Sequence, residues 1–460
     1  MSAQTAPETP KTSLREDLAA LLKRPRALWG IYALKFFESL AFFGAYNVLI
    51  VYLSEELRYT DREAGTIAGT WLTAVSLVTF AAGSVADAVG VRKALLASVL
   101  SCLVGRSFLA FSHDRTLALT GLALMSYGVG SMFPTMAAGV ARYTDKRTVS
   151  FGFSLFYVVM NLGAFVAGPV VTLLRRSFAQ PRTLTFMGIS ARVSSGQSIF
   201  LLSLFFTIIG LFVTLWLVRD EPIPSETVPE GATAFRTNTP PTAPHDEPTQ
   251  SKNPLRILAE VARESNFWRF LLFVSLLVLV RLIFQHAHLT WPKYTLREFG
   301  QSFPYASYWS INPLMIIVLT PIVTAFTRER SAYSVIVAGA FVTTASVFFL
   351  ALSTTVWASV LFIVTLSIGE ALWSPRLYEF TTRVAPKGRE GTYTGLAQIP
   401  MFVAKPIVGF LSGELLARYC PAVGPRDSKT LWLVIGLTTL AGPVAIVLFR
   451  RFIEAKQESK

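Results

Sequence analysis

Charge is scarce in this chain. Asp, Glu, Lys and Arg make up 15% of its 460 residues, where a soluble globular protein carries about a quarter. That deficit excludes an ordinary soluble fold. Cysteine is nearly absent. Cys102 and Cys420 are the two, and with no spacing signal they exclude a disulfide framework and a cysteine metal site. Acids are the rarer charge, 28 against 42 Lys and Arg. The net +14 does not indicate nucleic acid, because no basic run is interleaved with aromatics in a soluble segment. In membrane proteins Lys and Arg collect in cytoplasmic loops instead. No nucleophile elbow, phosphate loop, HExxH or paired-carboxylate hydrolase pattern occurs, so the chain does not read as an enzyme and asks for no cofactor. Histidine is rare too. His113 and His245 read as loop residues. His286 and His288, two apart on a helix, point to different sides, so no metal site is expected. Proton sensing is a lesser option for them. The first 28 residues are polar and carry no cleavable signal pattern.

What is present is apolar: 52% of the chain, with 35 Phe. It is arranged in runs of about 20 residues, the length of a membrane-spanning helix. Twelve spans are predicted: 29–53, 65–88, 91–112, 116–141, 149–174 and 197–218, then 267–291, 305–327, 332–352, 355–382, 391–417 and 430–450. Between the two sets, 219–265 is rich in Pro, Thr and Glu and is expected to be a largely disordered linker. The predicted fold class is an all-α membrane protein with twelve transmembrane helices in two six-helix bundles, 29–218 and 266–452. The linker, the segment 1–28 and the tail 453–460 are assigned to the cytoplasm. Arg92, Lys93, Lys146, Arg147, Arg328, Arg330, Arg383, Lys387 and Arg389 fall in loops on that side, and they outweigh Arg175, Arg176, Arg182 and Arg192 on the other. Short loops suggest a bacterial inner membrane. The lipid bilayer and a small-molecule solute are the expected partners, nucleic acid is not, and the working unit is expected to be a monomer.

Two local features carry chemistry. Gly83-Ser-Val-Ala-Asp87-Ala-Val-Gly90-Val-Arg92-Lys93 joins spans two and three. Gly83 admits a neighbouring helix, Asp87 ends a span where a helix N-terminus can meet it, and Gly90 permits a tight turn. The motif resembles the major facilitator signature, which implies a latch on one conformational state. The corresponding loop of the second half, Thr327-Arg328-Glu329-Arg330, is degenerate. The second feature is Glu370, an acid inside an apolar span. A carboxylate at bilayer depth costs about 2.5 kcal/mol or more, so it belongs at a cavity or beside a partner.

Several blocks resemble the proton-dependent oligopeptide transporter family within the major facilitator superfamily. They are Phe37-Glu38-Ser-Leu-Ala-Phe42-Phe43-Gly44, Gly128-Val-Gly130-Ser-Met-Phe133-Pro134, Phe156-Tyr157-Val-Val-Met-Asn161-Leu-Gly163, Ser310-Ile-Asn312-Pro313, and Gly369-Glu370-Ala-Leu-Trp373-Ser374-Pro375. The blocks come in the family's order. The departures are in the first span and the fourth. Where members usually carry two glutamates three apart followed by Arg, this chain has Lys35, Glu38 and Ser39. Two expected tyrosines are Phe42 and Phe43, and an expected lysine is Phe133. In the family those groups serve proton coupling and carboxylate binding, so the departures weigh against proton symport and ordinary di- or tripeptide selection.

Charged residues inside the predicted spans are Lys35, Glu38, Arg106, Arg281, Glu370, Arg376, Glu379 and Lys405. Lys35 and Glu38 share a helix face one turn apart and are expected to pair, either structurally or as a cavity pair. Arg281 is expected at mid-depth, bonded to Glu38 or Glu370. Arg106 and Arg376 are expected to snorkel. The resemblance implies that Glu370 meets a substrate amino group, with Ser374 on the same face and Trp373 beside it. It also implies that Tyr157, Asn161, Gln285 and Asn312 lie at binding positions, where interhelical hydrogen bonding is the competing role for the asparagines. With Lys35, Glu38, Phe42 and Arg281 these form the candidate substrate-contacting set, and Glu38 and Glu370 are the candidate proton carriers. The expected activity is alternating-access transport of a small polar or zwitterionic solute, peptide-like by resemblance and proton-coupled. The alternatives are export of amphipathic compounds, proton-independent facilitation or exchange, and a non-transporting sensor.

Overall fold

The computed structural model describes residues 19–145, 148–186, 189–219, 265–384 and 399–454. The predicted linker 219–265 and the tail 453–460 fall almost wholly outside these residues, as does most of 1–28. Long helices dominate: α1 (Arg26–Val51, continued by a π-helical turn Tyr52–Glu56), α2 (Asp61–Val89), α3 (Val91–Phe111), α4 (Arg115–Tyr143), α5 (Val149–Ser177) and α6 (Ser195–Trp216). The second set is α7 (Ser265–Leu289), α8 (Trp291–Phe299), α9 (Tyr305–Trp309), α10 (Ile311–Phe326), α11 (Ala332–Leu352), α12 (Val356–Val384), α13 (Ile399–Tyr419), α14 (Ser428–Leu448) and α15 (Arg450–Glu454). Among the described residues eleven helices are long and apolar enough to cross a membrane, and α13 is a twelfth long helix. The protein is therefore a multi-pass integral membrane protein of the predicted twelve-helix class.

Two elements depart from the sequence reading. The loop after the fifth span forms an antiparallel hairpin, β1 (Arg182–Phe186) paired with β2 (Ile189–Val193). The seventh span ends at Leu289, and a separate amphipathic helix, α8, begins at once with Pro292 in its first turn. Proline lacks the donor that a first-turn position does not need, which is why the chain restarts there.

In the first half, α1 packs against α5 and α6, and α3 against α4 and α6. α1 is the most buried span, at 78%. In the second half, α11 packs against α12 and α14, and α7 against α13 and α14. α2 and α13 join the halves. Gly65 and Gly69 meet Gly409 and Gly413 there, and a methyl group on Gly69 would sit 2.5 Å from the Gly409 Cα. Only glycine lets two backbones come this close, and its four-residue spacing keeps the contact on one face of each helix.

Ion pairs reinforce the crossing at the end of the bundle that carries residues 57–60. Asp61 at the start of α2 accepts from Lys293 and from Arg297 of α8, the latter at 2.7 Å. Arg62 pairs with Glu414 at 2.6 Å. Tyr305 donates to the Asn47 carbonyl at 3.0 Å, and Ser307 to Thr172 at 2.7 Å. Burial pushes the Lys293 ammonium below the usual lysine range, opposed by the charge of Asp61. The Asp61 group is thus a desolvated cluster, whereas the exposed Arg62–Glu414 pair is a surface salt bridge, worth about 0–1 kcal/mol.

Candidate functional site

α1 supplies two buried charges, which interact electrostatically one turn apart, but among the described residues no direct bond joins them. Both Glu38 carboxylate oxygens accept from Arg106 of α3, at 2.9 and 2.8 Å. Arg106 is 0% exposed and also donates to Thr207 of α6. The expected snorkelling of Arg106 is therefore corrected: it lies in the interior as the fixed partner of Glu38. A planar guanidinium matches a carboxylate with two parallel bonds, which a lysine cannot do. Lys35 instead sits over the rings of Phe133 and Phe156, 4.7 and 5.0 Å from their centroids. It is 6% exposed, and among the described residues it makes no hydrogen bond or ion pair. A desolvated cation–π contact is worth about 2 kcal/mol, while burying an ion costs several. The rings alone do not balance that cost.

The second half builds a different group. Glu370 of α12 accepts from the Asn312 side chain of α10 at 2.9 Å, and the same amide nitrogen donates to Ser367 at 3.1 Å. Arg281 of α7 lies within electrostatic reach of Glu370 and stacks on Trp373, 4.6 Å from the ring centroid. Of the two partners expected for Arg281, Glu38 or Glu370, the structure places it within electrostatic reach of Glu370. Lys405 of α13 donates to Ser76 of α2 across the seam between the halves and lies within electrostatic reach of Arg281. Ser374, one turn beyond Glu370, is half-buried, and among the described residues no hydrogen bond joins it to this group. Arg376 is 6% exposed and donates to Thr327, the residue that caps α10, so its head group reaches the end of that span.

The remaining candidates line the seam less uniformly. Phe42 stacks with Tyr46 and Trp71. Gln285 accepts from the Tyr46 hydroxyl at 3.2 Å, a bond between the halves. Asn161 donates to the Tyr157 carbonyl one turn back, and Tyr157 is 41% exposed. His288 stacks on Tyr46 at 4.4 Å, whereas His286 bonds Thr290 on another side of the helix. In the segment joining α2 and α3, Gly90 adopts a φ of 90°, open to glycine alone, and starts α3 directly after α2. Arg92 donates to the Leu215 carbonyl at the end of α6, where a cation suits the helix dipole. Lys93 is exposed. The side chains of Gly83 and Asp87 lie outside the described residues, as does that of Glu379.

Sequence reasoning missed Thr207, Ser367, Asp61, Lys293 and the glycine crossing. The four-residue glycine spacings, 65–69 and 409–413, were a usable signal. Nothing local marked the others, because each gains its role from a partner far along the chain.

The family model for the Major Facilitator Superfamily matches residues 31–409. Dipeptide and tripeptide permease A of Proteus mirabilis (strain HI4320) is 24% identical over 163 residues, 35% of this chain and 33% of the relative. The protein of that name from Edwardsiella piscicida is 24% identical over 147 residues, 31% and 30% of the two chains. The chain thus spans about a third of the length of these relatives in the matched stretch. Two solved structures are alike over most of their length. A POT family transporter in complex with 5-aminolevulinic acid gives a TM-score of 0.72 at 17% identity, covering 93% of this chain and 97% of the other. A POT family transporter in complex with a thioalcohol conjugated peptide gives 0.73 at 18%, covering 93% and 96%. At these identities the likeness establishes the fold.

Proposed function

Because the chain belongs to the Major Facilitator Superfamily, we propose that it is a secondary transporter carrying a small polar, peptide-like solute between its two halves by alternating access. Its fold and relatives are those of transporters, not enzymes. The observation that carries the reading is the Glu370 group. An acid in an apolar helix is held by a neutral amide and lies within electrostatic reach of Arg281. Such an acid can accept a substrate ammonium or a proton, since among the described residues no bidentate cation occupies it. The names of the relatives, dipeptide and tripeptide permease, and the ligands in the solved neighbours favour a peptide or peptide-like metabolite.

Alternating access is supported by the sealed end. The glycine crossing of α2 and α13 and the Asp61–Lys293–Arg297 cluster close one side. With both termini cytoplasmic, as the basic loops favour, the closed side is the outer one. The solute then enters or leaves from within. Of the two candidate proton carriers we retain Glu370 and set Glu38 aside, because Arg106 occupies both of its oxygens.

The test is uptake of labelled dipeptides by the purified protein in liposomes, with and without an inward proton gradient. Uptake that rises with the gradient and is lost in Glu370→Gln, with the variant still monodisperse and folded, supports the proposal. Uptake indifferent to the gradient removes proton coupling and leaves facilitation. A second reading, export of amphipathic compounds, draws on the aromatic wall of Phe42, Tyr46 and Trp71. Dye efflux without any dipeptide uptake would select it.

A further inference from the structure

We infer that the cargo is net anionic: a peptide-like solute carrying at least two acidic groups, held by Lys35 and Lys405. The inference rests on the transport reading above and narrows it from zwitterionic to acidic solutes.

The argument begins with which charges are already matched. Glu38 and Arg106 cancel through two direct bonds. Arg281 and Glu370 lie within electrostatic reach of one another, opposite in sign. Two ammonium groups remain over. Lys35 is nine-tenths buried, faces two aromatic rings and makes no hydrogen bond or ion pair among the described residues. The Glu38 charge one turn away reaches it, but Arg106 already bonds both oxygens of that carboxylate, so the three groups together keep one positive charge over. Lys405 donates to a neutral hydroxyl, that of Ser76. A seam between helix bundles is a costly place for surplus positive charge, and an incoming anion relieves it.

Geometry puts the two lysines at similar depth. Phe42 of α1 and Trp71 of α2 stack on one another, which aligns the two helices at that level. Lys35 lies seven residues, and Ser76 five, further from the sealed end. At 1.5 Å per residue these are about 10 Å and about 8 Å. One ammonium approaches from the first half and the other from the second, so a solute with separated acidic groups spans them. Its amino group is then left to Glu370. A neutral dipeptide has one carboxylate and satisfies only one lysine. A basic dipeptide adds a third cation to the seam.

The experiment is a selectivity series on the full chain in liposomes, using three peptides of similar size: alanylglutamate, alanylglutamine and alanyllysine. Initial uptake rates are measured at subsaturating concentration and equal proton gradient. The expected order is glutamate over glutamine over lysine, with the first step about tenfold, the value of one further hydrogen bond to a charged group. Lys405→Gln and Lys35→Gln should each pull the glutamate-to-glutamine ratio toward one. Because the ratio is read within one preparation, lower yield of a variant does not alter it. Equal uptake of all three peptides, or preference for alanyllysine, overturns this inference and leaves peptide transport standing. Uptake of none by folded protein overturns both.

Discussion

Glu38 and Glu370 are the same residue type in the same kind of place, an apolar helix of a membrane protein, one in each half. Their surroundings differ in a single respect that decides what each can do. Glu38 meets a guanidinium that bonds both of its oxygens. Glu370 meets a carboxamide on one oxygen, with Arg281 near it but stacked on Trp373. The first acid has both oxygens taken up inside a closed pair. The second keeps an oxygen for a proton, an ammonium or a solute donor. A membrane-embedded acid is thus a pointer to function only after its partners are known. The same cost of burial can be met by a permanent counter-ion or by a transient one.

The comparison breaks most sharply at Arg106. Arg106→Met leaves the Glu38 carboxylate buried without its partner, and removal of one member of such a pair costs about 3–5 kcal/mol. Denaturant unfolding in detergent should show a loss of that size. Adding Glu38→Leu to the same chain should restore most of it, because a buried pair replaced by apolar groups of similar volume is often close to neutral. Glu370→Gln is the counterpart. It keeps shape and an acceptor for Asn312, so stability should change by no more than about 1 kcal/mol while uptake falls away. If Glu370→Gln instead unfolds the protein and Arg106→Met leaves it stable, the roles assigned to the two acids are reversed.

The fold was legible in the sequence because hydrophobic length is a one-dimensional signal. Runs of about twenty apolar residues mark the spans, and the polar interval between 219 and 265 divides them into two sets. Glu370 was legible for the same reason: it interrupts such a run. Arg106 interrupts one too, yet its role was not readable. Pairing in a bundle is decided by which helix faces which, and α3 meets α1 only in three dimensions. Local spacing favoured Lys35 as the partner of Glu38, since one helical turn separates them. The guanidinium from another helix won because its fork satisfies both oxygens at once. The Asp61 cluster was hidden in a similar way. Lys293 and Arg297 fall between two predicted spans, and it is α8 that brings them to the start of α2.

The comparison is sharpened at Asn312. Asn312→Ala removes the donor from one Glu370 oxygen and from Ser367. An unsatisfied buried acceptor costs about 1–3 kcal/mol, and the carboxylate that loses this donor is the one proposed to meet the solute through its other oxygen. Half-saturation for uptake should therefore rise along with a modest loss of stability. The candidate amide of the first half, Asn161, spends its donor on its own helix at the Tyr157 carbonyl. Asn161→Ala should change stability less than Asn312→Ala does. Equal effects would mean that Glu370 draws no particular support from α10.

The smallest effect is expected at Thr207, and it tests whether the Glu38 pair is closed. Thr207 accepts a third bond from Arg106, while the Arg106 Nε has no partner among the described residues. Thr207→Val keeps the volume and removes the acceptor, which should cost about 0.5–1.5 kcal/mol. The loss should appear in unfolding and leave the proton dependence of uptake where it was. A shift in that dependence would show that the Arg106 charge is shared between Glu38 and the transport cycle. The first acid would then be another addressable group, and the contrast with Glu370 would be one of degree.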